Sequence, residues 1–314
     1  MTLVAIFGPT AVGKTEIAIE LADLLAQRDG SGRDERPIAV SADAFQVYEG
    51  LDMLTAKPTA DQLARLEHRL VSFVPVGETF SVAQFAERAH AEIDALSEQG
   101  RRPLIVGGTG LYLRAALTDL DLKPPPDPAL RDQIEQELIE LGLKALHSQL
   151  PSDTAEAVHP SDRKRIVRAL ELERMGEELY TTSDQLWSEN LRRPAVLFGV
   201  VMDRDALAER ISVRVDEMLA GGLVDEVELA IERGASKTAR KAIGFREAEG
   251  VLGGELSLDE AADQIKRRHR QYVRRQLTWM RKLPGVELID RTALSAAEAG
   301  AGILQRLAAN VESA

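Results

Sequence analysis

The 314-residue chain has no cysteine, which excludes disulfides and thiolate metal sites and leaves a hard cation held by oxygen and phosphate as the metal to expect. Long apolar runs are also missing: the longest, Ala195 to Val201, is far too short to span a bilayer, so no membrane partner is expected. Met1 leads directly into a strand-like run, and with no targeting segment the expected location is cytoplasmic. Aromatic residues make up only 4%, and no internal repeat or low-complexity tract appears. Positive charge is in deficit, 39 Lys and Arg against 51 Asp and Glu for a net −12. On the sum alone that deficit argues against nucleic acid, whose phosphates need cations to displace their counterions. The distribution argues the other way. Lys266 to Lys282 carries eight Lys or Arg and no acid, Lys237, Arg240, Lys241 and Arg246 form a second group, and Arg163, Lys164, Arg165 and Arg168 form a third. Such clusters on an acidic chain point to a bound polyanion, with solvated helix faces as the competing reading.

What is present begins with Gly8-Pro9-Thr10-Ala11-Val12-Gly13-Lys14-Thr15, which fits G-x-x-x-x-G-K-[ST] at every fixed position. Leu3 to Phe7 before it suits a buried parallel strand, and Glu16 to Gln27 after it has apolar residues at helical spacing. In that context the glycines let the backbone wrap an anion, Lys14 reaches a terminal phosphate and Thr15 is placed for Mg²⁺. A phosphate loop alone does not name the phosphate compound.

Arg28 to Arg36 reads as an exposed loop, followed by a strand from Ile38 to Ser41 that ends at Asp43. In a parallel sheet ligands bind beyond the carboxyl ends of strands, which sets Asp43 beside Lys14 and Thr15 as the first catalytic candidate. Leu51 to Pro58 is a loop with Thr55 and Lys57, and Ser81 to Gln99 is a helix with Val82, Phe85, Ala89, Ile93 and Leu96 as its core stripe. Pro103 to Val106 is a further buried strand, broken by a second glycine loop, Gly107-Gly108-Thr109-Gly110, whose Thr109 hydroxyl can face a phosphate oxygen.

The proline run from Pro124 to Pro126 and Pro128 reads as a stiff hinge, and Leu130 to Met175 shows only helical pattern. The expected organisation is therefore an α/β core over 1–118 and 194–314 with an all-helical insertion over 119–193, the core resuming in a strand from Ala195 to Met202. Helices follow over Ala206 to Leu219 and Val224 to Glu232, and the first carries Arg210 and Arg214 on one face, within reach of the phosphates. Lys266 to Lys282 has Val273, Leu277 and Met280 as a buried stripe, with Tyr272 and Trp279 one heptad apart, more suited to core than to base stacking. The Ala-rich tail from Ala293 reads as a weakly specified terminal helix.

Taken together, Gly8 to Thr15, Ser41-Ala42-Asp43 with Gln46-Val47-Tyr48, Thr55-Ala56-Lys57-Pro58, Val106 to Tyr112 and Arg275-Gln276-Leu277-Thr278-Trp279 resemble the bacterial tRNA dimethylallyltransferases over nearly the whole chain. The insertion, with Asp162 and Arg165 to Glu171, is also similar to that family's. The resemblance implies a P-loop NTPase-like parallel sheet flanked by helices, with an inserted helical tRNA-binding domain. It implies transfer of a dimethylallyl group to N6 of the adenine immediately 3′ of the anticodon. Gly8, Pro9, Thr10, Ala11, Val12, Gly13, Lys14 and Thr15 would then hold the diphosphate of dimethylallyl diphosphate with Mg²⁺ at Thr15, Thr109 and Arg214 would grip it, and Asp43 would act on the adenine amine. Asp43, Ala44, Phe45, Gln46, Arg131, Lys164, Arg165, Ile166, Val167 and Arg168 would contact the tRNA anticodon stem-loop, with the chain acting as a monomer. Two departures stand out: Ala44-Phe45 replaces the family's common Ser-Met, and Leu54 stands where it has Gly. Without the resemblance, the residues also permit a P-loop small-molecule kinase, an isopentenyltransferase acting on free AMP, or a nucleotide-driven RNA-binding switch.

Overall fold

In a computed structural model of the chain, residues 2–30, 32, 35–125, 127–177 and 185–312 are described. Pro126 of the proline hinge, positions 31, 33 and 34 of the first loop and positions 178–184 of the insertion lie outside the described residues. Among the described residues six strands form one sheet: Leu3–Phe7 (β1), Ile38–Ser41 (β2), His68–Arg69 (β3), Pro103–Gly107 (β4), Ala195–Val201 (β5) and Val286–Asp290 (β6). Their order is β3-β2-β4-β1-β5-β6 and every pairing is parallel. β1, β2 and β4 are buried at every position, which is why their sequences are continuously apolar rather than alternating. β1 lies between β4 and β5, so the phosphate motif leaves the sheet with the ends of two neighbours beside it, Phe7 standing opposite Gly107 and Gly199. At Gly107 a Cβ would lie 2.2 Å from the Ala42 carbonyl oxygen, so only glycine lets the ends of β2 and β4 approach this closely.

The helices are Lys14–Asp29 (α1), Ala60–Arg65 (α2), Val82–Glu98 (α3), Gly110–Leu117 (α4), Pro128–Leu141 (α5), Leu143–His147 (α6), Ser152–Ala157 (α7), Arg163–Arg174 (α8), Arg204–Ala220 (α9), Leu223–Glu232 (α10), Phe245–Leu252 (α11), Leu258–Met280 (α12) and Ala296–Glu312 (α13). Capping boxes start α3 at Ser81 with Gln84 and α12 at Ser257 with Glu260. The buried face of α3 is Phe85, Ala86, Ala89, Ile93 and Leu96, whereas Val82, expected in that stripe, stays half-buried in the first turn. α13 is better specified than its alanines implied, because Ala299, Ile303 and Leu307 are buried at four-residue spacing and the helix packs along α1.

The chain divides into two compact units, Met1–Asp119 with Trp187–Ala314, and Leu120–Leu186. The sheet unit extends further than expected on its return, because Trp187 stacks on Trp279 at 4.8 Å and Arg192 pairs with Asp94. The helical unit, α5 to α8, has a core of its own that includes Ile134, Leu146, Leu150, Ile166, Val167 and Leu170. Ile166 and Val167, expected among the RNA contacts, are 0% exposed with side chains that fill this core, which leaves only their backbone for such a contact, while Lys164 and Arg165 beside them face solvent.

Candidate functional site

The loop after β1 closes on α1 through Gly13, which caps the helix in a left-handed conformation (φ 88°) open to glycine at no steric cost. Lys14 follows and turns back on its own loop, donating from Nζ to the carbonyls of Gly8 at 3.0 Å and Pro9 at 2.9 Å. Burial lowers its pKa to about 8, with the neighbouring Asp43 carboxylate opposing and Arg214 adding to the shift. The loop and the first turn of α1 open on a cavity of about 570 Å³, which Thr15, Asp43, Arg214, Tyr272 and Gln276 also line. Ala11 and Val12 belong to the core, so they serve the loop through their backbone.

Asp43 stands just beyond β2 as the strand-end argument requires. Its Oδ1 accepts from the N–H groups of Phe45 at 2.9 Å and Gln46 at 3.3 Å, and this turn fixes the carboxylate at the cavity wall. Gln46 ties the turn to its surroundings, accepting from Ser41 Oγ at 3.1 Å and donating to the Ala56 carbonyl at 3.1 Å. Thr109 does not line the cavity: its hydroxyl accepts from the Ala44 N–H at 3.3 Å and lies 3.3 Å from the Tyr272 hydroxyl. Burial, with the Asp43 charge adding, pushes the Tyr272 phenol up to about 12, so it stays a neutral donor.

The loop from Leu51 to Pro58 is built by contacts that sequence reading missed. Glu226, on α10, accepts from the N–H groups of Asp52 at 2.7 Å, Met53 at 2.8 Å and Leu54 at 2.9 Å. Leu54, one of the two departures, is 3% exposed and packs against Gly244, which gives this loop a defined path without the glycine. Thr55 and Lys57 line the cavity but also brace the loop, Thr55 Oγ1 donating to the Leu51 carbonyl at 2.6 Å and Lys57 Nζ to Asp52 at 2.6 Å.

Arg210 and Arg214 have different neighbours despite sharing a helix face. Both line the cavity: Arg210 donates from Nε to the Ala11 carbonyl at 2.9 Å, whereas Arg214 donates from Nη2 to the Ala56 carbonyl at 3.5 Å and its pKa is lowered by deep burial. Gln276, also missed, joins the two glycine loops: it accepts from the Thr10 N–H at 3.0 Å and donates to the Gly108 carbonyl at 2.8 Å. Trp279 is half-buried and packs against Gly110 and Trp187, whereas Tyr272 lines the cavity. Among the described residues no group of three or more His, Cys, Asp or Glu side chains is arranged to hold a metal.

The remaining expected RNA contacts lie on the helical unit. Arg131 at 2.9 Å and Arg168 at 3.2 Å both donate to Glu171, whose carboxylate is fully buried. Of the basic segment on α12, Lys266 pairs with Asp216 and Arg268 with Glu247, whereas Arg267, Arg270, Arg274 and Arg275 are exposed.

The profile of the IPP transferase family matches residues 46–283 of the chain. The chain is 38% identical over 292 residues to the tRNA dimethylallyltransferase of Geobacillus kaustophilus strain HTA426, covering 91% of this chain and 90% of the relative. It is 42% identical over 296 residues to the tRNA dimethylallyltransferase of Anaeromyxobacter sp. strain K, covering 92% and 93%. The crystal structure of the full-length tRNA isopentenylpyrophosphate transferase of Bacillus halodurans is similar to it with a TM-score of 0.71 at 35% identity, covering 99% of this chain and 97% of that one.

Proposed function

Because the chain belongs to the IPP transferase family, we propose that it transfers a dimethylallyl group from dimethylallyl diphosphate to N6 of the adenine immediately 3′ of the anticodon in tRNA, releasing diphosphate. The observation that carries this reading is the meeting of a phosphate loop and the Asp43 carboxylate in one cavity. Family membership supports it over the kinase and the RNA-binding switch, and the exposed arginines of α12 support it over free AMP, which offers too few phosphates to engage them.

The two ends of the cavity have separate tasks. At the phosphate end, Lys14 exchanges its loop carbonyls for the diphosphate, and with the N–H groups at the start of α1 and the Arg214 guanidinium it neutralises the charge that grows on the leaving group. Thr15 is the protein ligand that fits Mg²⁺, a cation that suits a site built from one hydroxyl and substrate phosphates because it keeps several waters. When bound, Mg²⁺ supplies further charge neutralisation on the leaving diphosphate. At the other end Asp43 orients the adenine amine and takes its proton as the C1–N6 bond forms and the C1–O bond to diphosphate breaks. Thr109 supports the backbone of the Asp43 turn through the Ala44 N–H, and the Tyr272 hydroxyl, on the cavity wall, lies against that of Thr109. An adenine stacked in an anticodon loop reaches this carboxylate only by turning out of its stack.

On this reading Ala44, Phe45 and Gln46 meet the RNA beside the target base, and Lys164 and Arg165 hold its backbone. The chain works as a monomer in the cytoplasm, on tRNA that has already been transcribed and folded. The decisive experiment is mass analysis of tRNA nucleosides from cells with and without the chain. Loss of N6-dimethylallyladenosine and its derivatives is expected, and an unchanged nucleoside profile would sink the proposal.

A further inference from the structure

Arg291 lies just past β6, at the far end of the chain from the phosphate loop, and its side chain is nevertheless built into that loop. Its backbone N–H donates to the Val201 carbonyl at 2.9 Å, which anchors it at the end of β5. Its Nη1 donates to the Val12 carbonyl at 2.6 Å and to Glu16 Oε2 at 3.0 Å. The guanidinium fills the space that a side chain on Gly13 would need, a Cβ there falling 1.3 Å from Nη1. Arg210 makes the matching contact one peptide earlier, on the Ala11 carbonyl, and approaches the same Glu16 at 3.8 Å.

A trans peptide points its C=O and its N–H in opposite directions. Holding the Val12 carbonyl against Arg291 therefore turns the Gly13 N–H away from Arg291 and into the cradle, where α1 begins. We propose that Arg291 is a positioning residue for the diphosphate, fixing the Val12–Gly13 peptide so that the Gly13 N–H is presented to the anion. The inference rests on the reading of Gly8 to Thr15 as the diphosphate site.

A purely structural role fits the surroundings poorly. Arg291 is 7% exposed and, among the described residues, its buried Nε has no hydrogen-bond partner, so burying this guanidinium costs stability. Glu16 is 44% exposed on its side chain, so removing Arg291 leaves no buried carboxylate unpaired. Arg291→Met leaves the buried Val12 carbonyl without this donor, so it is expected to fold with a modestly lowered melting temperature.

The test uses the full chain, calorimetric titration with inorganic diphosphate, and steady-state kinetics with dimethylallyl diphosphate and an anticodon stem-loop. Arg291→Met is expected to weaken diphosphate binding by about tenfold or more, the scale of one hydrogen bond at a charged site. The KM for dimethylallyl diphosphate rises and kcat falls, because the same N–H also meets the charge growing on the leaving group, while the KM for RNA stays within about twofold. Arg291→Lys should fall between, because one ammonium reaches the Val12 carbonyl or Glu16 but not both in the same geometry. Wild-type diphosphate affinity in both variants overturns the inference, and so does a lowered melting temperature with affinity unchanged. Where Arg291→Met fails to fold, Arg291→Lys decides by the same two readings. A wild-type chain that takes up no inorganic diphosphate would overturn the site reading itself, and the inference with it.

Discussion

Gln276 accepts a hydrogen bond from the N–H of Thr10 at 3.0 Å, although 266 positions separate them. Its other amide atom donates to Gly108 at 2.8 Å, so one side chain on α12 sets the spacing between the loop after β1 and the loop after β4. On the proposed function the first loop would carry the leaving group, and the second neighbours the Asp43 turn, so this spacing would also be the spacing of the two chemical ends.

Gln276→Leu strands a Thr10 donor and a Gly108 acceptor in a site that is 3% exposed, at a cost of about 1–3 kcal/mol each if water does not replace the amide. The expected outcome is a fall in kcat/KM of about tenfold to a hundredfold, with a lowered melting temperature. Gln276→Glu keeps the acceptor, loses the donor and sets a negative charge beside the diphosphate, so it should damage the KM for dimethylallyl diphosphate more than it damages stability. Kinetics and thermal melts on both variants check this, and wild-type values in both would make the bridge incidental.

Asp43→Asn keeps an oxygen to accept from the Phe45 and Gln46 N–H groups, whereas Asp43→Ala removes the turn's anchor along with the base. Both should lose about 10²–10⁴ in rate if Asp43 is a positioned general base. Diphosphate affinity should survive in Asp43→Asn. If it collapses there too, Asp43 holds the metal or the phosphate rather than the amine. Calorimetry with inorganic diphosphate beside single-turnover rates separates the two.

Lys14 gives the pH dependence, and its sign runs against the usual ion-pair case. Its pKa falls from 10.5 to about 8 on folding, chiefly by burial, so between those values the unfolded chain holds a proton that the folded chain has lost. Stability of the ligand-free chain therefore rises with pH across that window as far as Lys14 is concerned, and Lys14→Met should abolish that rise. Diphosphate prefers the ammonium, so its affinity should fall as pH rises through about 8, and binding at a pH near 9 should take up a proton. Calorimetry in two buffers of different ionisation enthalpy measures the proton directly. No uptake would mean that the free lysine is already charged there.

The parts of the site that sequence made legible are those whose chemistry is contiguous. Gly8 to Thr15 and the strand-end Asp43 carry their geometry in local pattern, because a buried parallel strand followed by a glycine turn leaves few places for the next residue to go. Gln276, Glu226 and Arg291 were opaque for the opposite reason: each reaches backbone atoms more than 170 positions away, and nothing in a glutamine, glutamate or arginine announces a distant carbonyl or N–H. β6 was missed because an edge strand alternates, leaving Leu288 at 53% exposure while Ile289 is at 4%. The basic clusters were overcounted as free charge, since Lys266, Arg268, Arg240 and Arg163 each already face an acid.

That last correction divides the helical unit's basic residues into two classes with opposite signatures. Lys164 and Arg165 are exposed, Arg165 with Asp162 at 3.6 Å, and substituting both with alanine should lower the slope of log affinity for an anticodon stem-loop against log salt by about one unit per lost phosphate contact. Their melting temperature should not move. Arg131 and Arg168 share Glu171, whose carboxylate is 0% exposed, so removing either leaves a buried charge with one partner, and removing both should cost about 3–5 kcal/mol. Adding Glu171→Gln to that pair removes the stranded charge and should recover much of the loss. Salt titrations and thermal melts on the two sets decide the matter. If Arg131→Ala and Arg168→Ala also lower the salt slope, the two guanidiniums leave Glu171 for phosphate when RNA binds, and Glu171 is the counter-ion that holds them in place until it does.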